Sequence, residues 1–154
     1  MAPRRPEASR AGTLHLIVRR TIKASAEQLF RAWTEPEQLV KWWGPPPARC
    51  PHAEIDLREG GQYRIANVFP DGSTIWICGE FERITPPRIL VFTWRLEGFE
   101  DGDERVSVRF QGRGKTTDII VTHERISTAE AKQRHEQGWN GCLDGLAMYA
   151  SSSS

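Results

Sequence analysis

The 154-residue sequence predicts an α+β domain: a curved, seven-stranded antiparallel sheet wrapped around a long C-terminal helix, with two short helices after the first strand. Three observations predict it. An early apolar segment alternates with the period of a strand. Six further strand-like segments follow, separated by tight-turn residues. The C-terminal stretch carries an apolar stripe at helical spacing.

The first strand is expected over residues 14–22, where Leu16, Val18 and Ile22 share one face and His15, Arg19 and Thr21 the other, with Arg20 interrupting the apolar side. Ser25 and Gln28 then form a capping box for a short helix through Trp33, with Leu29, Phe30 and Trp33 on its apolar side. Pro36 suits the first turn of a second helix, which presents Leu39, Trp42 and Trp43 and stops at Gly44 and the prolines after it. Turn residues at 59–61, 71–73, 85–87, 98–104 and 112–115 delimit strands near 53–57, 62–69, 74–84, 88–95, 105–110 and 116–125. Short connections make these strands neighbours in an antiparallel meander. Ser127 with Glu130 reads as a second capping box, opening a helix that continues to about Tyr149 with Trp139, Cys142, Leu143, Leu146 and Ala150 on one stripe. Gly138, Gly141 and Gly145 each cost that helix about 1 kcal/mol relative to alanine, which points to close packing or to room for a guest.

Composition narrows the classes. With 38% hydrophobic and 27% charged residues, the chain is long enough to bury one core without disulfides or structural metal. Cys50, Cys78 and Cys142 are odd in number, form no CxxC pair and follow no secretory signal, so free core thiols and a cytoplasmic location are expected. Twenty-one basic against twenty acidic residues give a formal net charge of +1, which argues against nucleic acid as a partner. No apolar run is long enough for a membrane span. Residues 1–12 and 151–154 read as disordered tails around a domain at 13–150.

Several blocks of sequence resemble one family. They are Arg20-Thr21-Ile22-Lys23-Ala24-Ser25, the run from Leu29 to Glu37, Trp42-Trp43-Gly44-Pro45, Asp71-Gly72-Ser73 with Gly79-Glu80-Phe81, Pro86 to Trp94, and Gly138-Trp139 with Cys142-Leu143-Asp144 and Leu146. In order and spacing they resemble AHSA-type domains, relatives of the chaperone ATPase activator, within the START-like or SRPBCC superfamily. The resemblance implies the helix-grip fold, with a cavity between the sheet and the long helix. It implies no single function, because the fold serves lipid and polyketide binding, ring cyclisation, resistance to toxic small molecules and chaperone stimulation. Chaperone activators place a separate N-terminal domain before this module. Without one in this sequence, chaperone stimulation is expected to be absent.

The candidate chemistry is sparse. Gly114-Lys115-Thr116 contains the end of a phosphate-loop motif, but it joins two strands rather than a strand and a helix, so a hairpin turn is the better reading. His15, His52, His123 and His135 are scattered in sequence, and no metal or other cofactor is expected. His123 continues the inward alternation of Thr117, Ile119 and Val121 and is expected to face the space under the long helix, as a ligand contact or a satisfied core histidine. No nucleophile elbow or paired-carboxylate motif occurs, so no catalytic residue is assigned. Six tryptophans approach the expected cavity from three sides, as pocket walls or as plain core. The cavity-lining candidates are Trp76, Trp94, Trp139 and Leu143, with Tyr63 and His123 as polar contacts. The expected function is binding of a lipid-, polyketide- or flavonoid-like molecule by a carrier or sensor, as monomer or weak homodimer. The alternatives are a cyclase- or hydrolase-type enzyme and a stress-related co-chaperone module.

Overall fold

A computed structural model describes residues 12–44, 47–98 and 103–152 of the chain. Along it run β1 (Leu14–Ile22), α1 (Ala26–Thr34), α2 (Pro36–Trp42), β2 (Ala53–Ile55), β3 (Gln62–Val68), β4 (Thr74–Thr85), β5 (Ile89–Leu96), β6 (Glu104–Arg113), β7 (Thr116–Ile126) and α3 (Ala129–Ser152). The strands form one antiparallel sheet in the order β1-β7-β6-β5-β4-β3-β2, so β1 closes one edge beside β7 and the rest is a meander. The helix-grip expectation therefore holds. Among the described residues, no helix is long and apolar enough to cross a membrane.

Local chemistry sets the element ends. Ser25 accepts a hydrogen bond from the Gln28 amide at 3.1 Å and opens α1, and Pro36 opens α2. The cap of α3 differs from the expected one. Thr128, not Ser127, accepts from the Ala131 amide at 3.0 Å. β7 keeps its pairing through Ile126, opposite Leu14, so Ser127 is used as the link and the cap moves one residue on. The helix also runs to Ser152, past the expected boundary, while the rest of the two expected tails, 1–11 and 153–154, lies outside the described residues.

Two turns are tighter than expected. β6 reaches Arg113, which pairs with Thr116, so only Gly114 and Lys115 form the loop, with Gly114 at φ 79°. Glu104, expected in the preceding turn, is the first residue of β6. At the other edge β2 is shorter than expected and ends at Ile55.

The core fills the concave side of the sheet. Val106, Val108, Ile119, Val121 and Ile126 are fully buried there, as are Leu143 and Leu146 of α3. The helix rests on β1 and β7 and touches α2. Arg20, on the inward side of β1, spans to it with a 2.6 Å hydrogen bond from its guanidinium to Asp144. Five tryptophans make a continuous cluster through Trp33. Its ring lies 5.0 Å from Trp42, 6.2 Å from Trp43 and 6.0 Å from Trp139, and Trp94 joins at 5.4 Å from Trp139. Cys50, Cys78 and Cys142 are free and buried.

Candidate functional site

Two voids lie inside the sheet, divided by Trp43 and Trp94, which line both. The smaller, about 20 Å³, is enclosed by aromatic and aliphatic side chains including Trp33, Tyr63, Phe81 and Phe92. That is room for little more than one water. The larger, about 180 Å³, lies between β4, β5 and the N-terminal half of α3. Ile75, Ile77, Leu96 and Trp139 give it apolar walls, and Asn67, Arg134 and His135 bring polar groups to it.

The structure separates the sequence candidates. Trp94 and Trp139 line the larger cavity. Of these two voids Tyr63 lines the smaller, and its hydroxyl donates to the Thr93 carbonyl at 2.6 Å. Burial pushes its phenol well above the usual range. Trp76 is on the other side of the sheet. Its neighbours Ile75 and Ile77 face the cavity, so strand alternation turns Trp76 outward, where the Arg64 guanidinium stacks 3.9 Å from its ring centre. Leu143 is fully buried in the core and lines neither void. His123 is also fully buried, behind Trp139 rather than on the cavity wall.

A polar group missed in sequence surrounds His123. Its Nε2 lies 2.7 Å from Glu104 Oε1, the His135 Nε2 lies 3.0 Å from the same oxygen, and the two imidazoles stack at 4.1 Å. On the other side, the Trp139 indole donates to His123 Nδ1 at 3.0 Å. Because an indole N–H only donates, His123 Nδ1 must accept, and its proton sits on Nε2, directed at Glu104. His123 is thus held neutral. Burial pushes its imidazole below the usual value, and the Glu104 hydrogen bond only partly opposes this. Burial acts on Glu104 in the raising direction, but the hydrogen bonds from His123 and His135 outweigh it and bring the carboxyl down to about 2.

Glu104, His123 and His135 offer ligand atoms within 4.8 Å of one another, which is the grouping of a possible metal centre. The tautomer does not fit one. A divalent ion on His123 Nε2 would displace its proton while Trp139 still donates to Nδ1, leaving an imidazolate in a buried site. The arrangement instead ties β6, β7 and α3 together through one carboxylate.

With the geometry in place, comparison with known proteins decides the lineage. The family described as "Activator of Hsp90 ATPase homolog 1-like protein" matches residues 23–151. The chain belongs to this family. Among curated relatives, the human "Activator of 90 kDa heat shock protein ATPase homolog 1" is 24% identical over 136 residues, covering 88% of this chain and 36% of the relative. The mouse protein of the same name is 23% identical, with 38% of it covered. The chain therefore spans little more than a third of the length of the curated relatives it matches. Protein CV1439 from Chromobacterium violaceum superposes with a TM-score of 0.81 at 25% identity, over 88% of this chain and 96% of that one. The AHSA1 protein SPO3351 from Silicibacter pomeroyi gives 0.79 at 24% identity, over 92% and 100%. These likenesses concern the fold.

In this AHSA1-type domain four polar residues near the cavity escaped the sequence reading: Asn67, Glu104, Arg134 and His135. His135 carried a usable signal, since it stands four residues before Trp139 and therefore on the same helical face. Asn67 carried none, because its role depends on Trp43, just past the end of α2, whose indole donates to its Oδ1 at 3.2 Å.

Proposed function

We propose that this domain binds a hydrophobic small molecule in the larger cavity, as a carrier or sensor, and releases it unchanged. The observation that carries the proposal is the 180 Å³ space walled by Trp43, Trp94, Trp139 and aliphatic side chains, in a core otherwise closely packed. Packing to native density leaves few voids larger than a water, and this opening beneath α3, bordered by the helix glycine Gly138, is well above that size. The nearest buried histidine supports binding rather than chemistry, because both nitrogens of His123 are committed to Trp139 and Glu104.

The test is a fluorescence titration of the folded protein with a panel of fatty acids, flavonoids and polyketide-like rings. Saturable quenching of tryptophan emission is expected for compounds small enough to enter. Absence of saturable binding across the panel would defeat the proposal, and turnover of a bound compound would replace the carrier with an enzyme. A second reading, stimulation of a heat-shock chaperone ATPase, draws on the family match over residues 23–151. An increase in the chaperone's ATPase rate on adding this chain at stoichiometric amounts would establish it.

A further inference from the structure

Of the polar side chains that line the larger cavity, His135 is held through its Nε2 by Glu104, and Trp94, Asn67 and Arg134 each carry a donor. Trp94, 7% exposed, carries the one buried side-chain polar atom without a hydrogen-bond partner among the described residues, its indole Nε1–H. A buried donor left unpaired is destabilising, and a ligand acceptor would supply the missing partner. Asn67, 5% exposed, spends its Oδ1 on the Trp43 indole, so its free end is the NH₂. Arg134, on the first turns of α3, reaches the same cavity and forms no ion pair among the described residues. No aspartate or glutamate lines the space. Glu104 stands behind it, occupied by two histidines. Cys142 lines it as a thiol, since burial pushes its pKa up to about 12.

Resting on the reading of this cavity as a binding site, we infer that its ligand is an aryl carboxylate of one or two rings, with the carboxylate accepting from Trp94, Asn67 and Arg134. Size sets the upper limit. A cavity of about 150 Å³ accepts benzene, so about 180 Å³ holds a single or fused ring system, whereas an extended acyl chain or a four-ring polyketide would have to project from it. Aromatic walls from Trp43, Trp94 and Trp139 favour a planar body. Sign sets the head group: three donors and no lining carboxylate attract an anion and repel an ammonium.

The experiment is isothermal titration of the whole chain with three compounds of one ring system: naphthoate, its methyl ester and naphthylmethylammonium. Naphthoate is expected to bind at least about tenfold more tightly than the other two, the scale of one hydrogen bond to a charged group. Trp94→Phe, which keeps a ring but removes the donor, and Arg134→Gln should each reduce naphthoate affinity severalfold and leave the ester unaffected. Equal or tighter binding of the ester or the ammonium overturns the carboxylate assignment while the cavity reading stands. A naphthoate preference untouched by both substitutions overturns it too, because other groups would then read the head. If none of the three binds to protein shown folded by circular dichroism, the cavity reading falls with it.

Discussion

The two halves of α3 meet the sheet on different terms. From Leu143 onward the helix is packed: Leu143 and Leu146 are fully buried, Ala150 nearly so, and Gly145 brings its backbone against Trp42. Up to Cys142 it borders open space, with Arg134, His135, Gly138 and Trp139 facing the cavity. One continuous helix thus serves as core at one end and as pocket wall at the other. The lesson is that an apolar stripe specifies which side of a helix turns inward, but not whether the space inside is filled.

The sharpest way to test this division is to remove bulk from the packed half. Leu143→Ala should destabilise the fold by roughly 2 to 5 kcal/mol, the range for a buried leucine whose surroundings cannot collapse. Urea unfolding measures it. A loss well under 1 kcal/mol would mean that the C-terminal half is as loosely packed as the other, and the comparison would break.

A second test addresses what holds the open half in place. There Trp139 is anchored through His123 to Glu104, whose carboxyl is brought down to about 2 by its two histidine partners. A depressed carboxyl contributes stability that is fully present above its unfolded value, near 4.5, and is lost as pH falls through about 2. His123, with its pKa lowered, acts in the same direction: the unfolded chain takes up its proton first as pH drops below about 6.5. Stability should therefore fall with acid across this window. Glu104→Gln should cost roughly 1 to 3 kcal/mol near neutrality, as for a hydrogen bond to a charged group, and should flatten the part of the acid slope below pH 4.5. Urea midpoints at neutral and acid pH measure both effects. Parallel slopes in the two proteins would show that Glu104 is not the group responsible.

How much of this was legible in the sequence depends on range. The strands, both short helices and the inward stripe of α3 follow from periodicity and caps, which are local. Trp76 was misplaced for a local reason as well: once Ile75 and Ile77 are assigned inward, alternation sends Trp76 outward, and the count of tryptophans outweighed that rule. Glu104 depended on register. With the hairpin loop reduced to Gly114 and Lys115, Val106 falls opposite His123, and Glu104, two residues earlier on the same face, comes alongside. A turn assigned two residues too wide conceals that pairing. The cavity itself was not legible, because Trp33 in the core and Trp94 on the cavity wall are the same residue type, and only packing in three dimensions separates their roles.

The smallest expected effect tests the comparison within α3 by one substitution made twice. A glycine in a helix interior costs about 1 kcal/mol relative to alanine, so replacing it gains about that much wherever a methyl group has room. At Gly145 there is none. A Cβ there would stand 2.5 Å from the Trp42 carbonyl oxygen, a backbone atom that can move only with α2. Gly145→Ala should therefore destabilise by roughly 1 to 3 kcal/mol, as overpacking does. Gly138 borders the cavity, so Gly138→Ala should be neutral or stabilising by up to about 1 kcal/mol. Thermal unfolding of the two variants, with the helical circular dichroism signal unchanged, reads out the sign. If both lower the melting temperature equally, the N-terminal half of α3 is as tightly enclosed as the C-terminal half, and the cavity has no room to offer a guest.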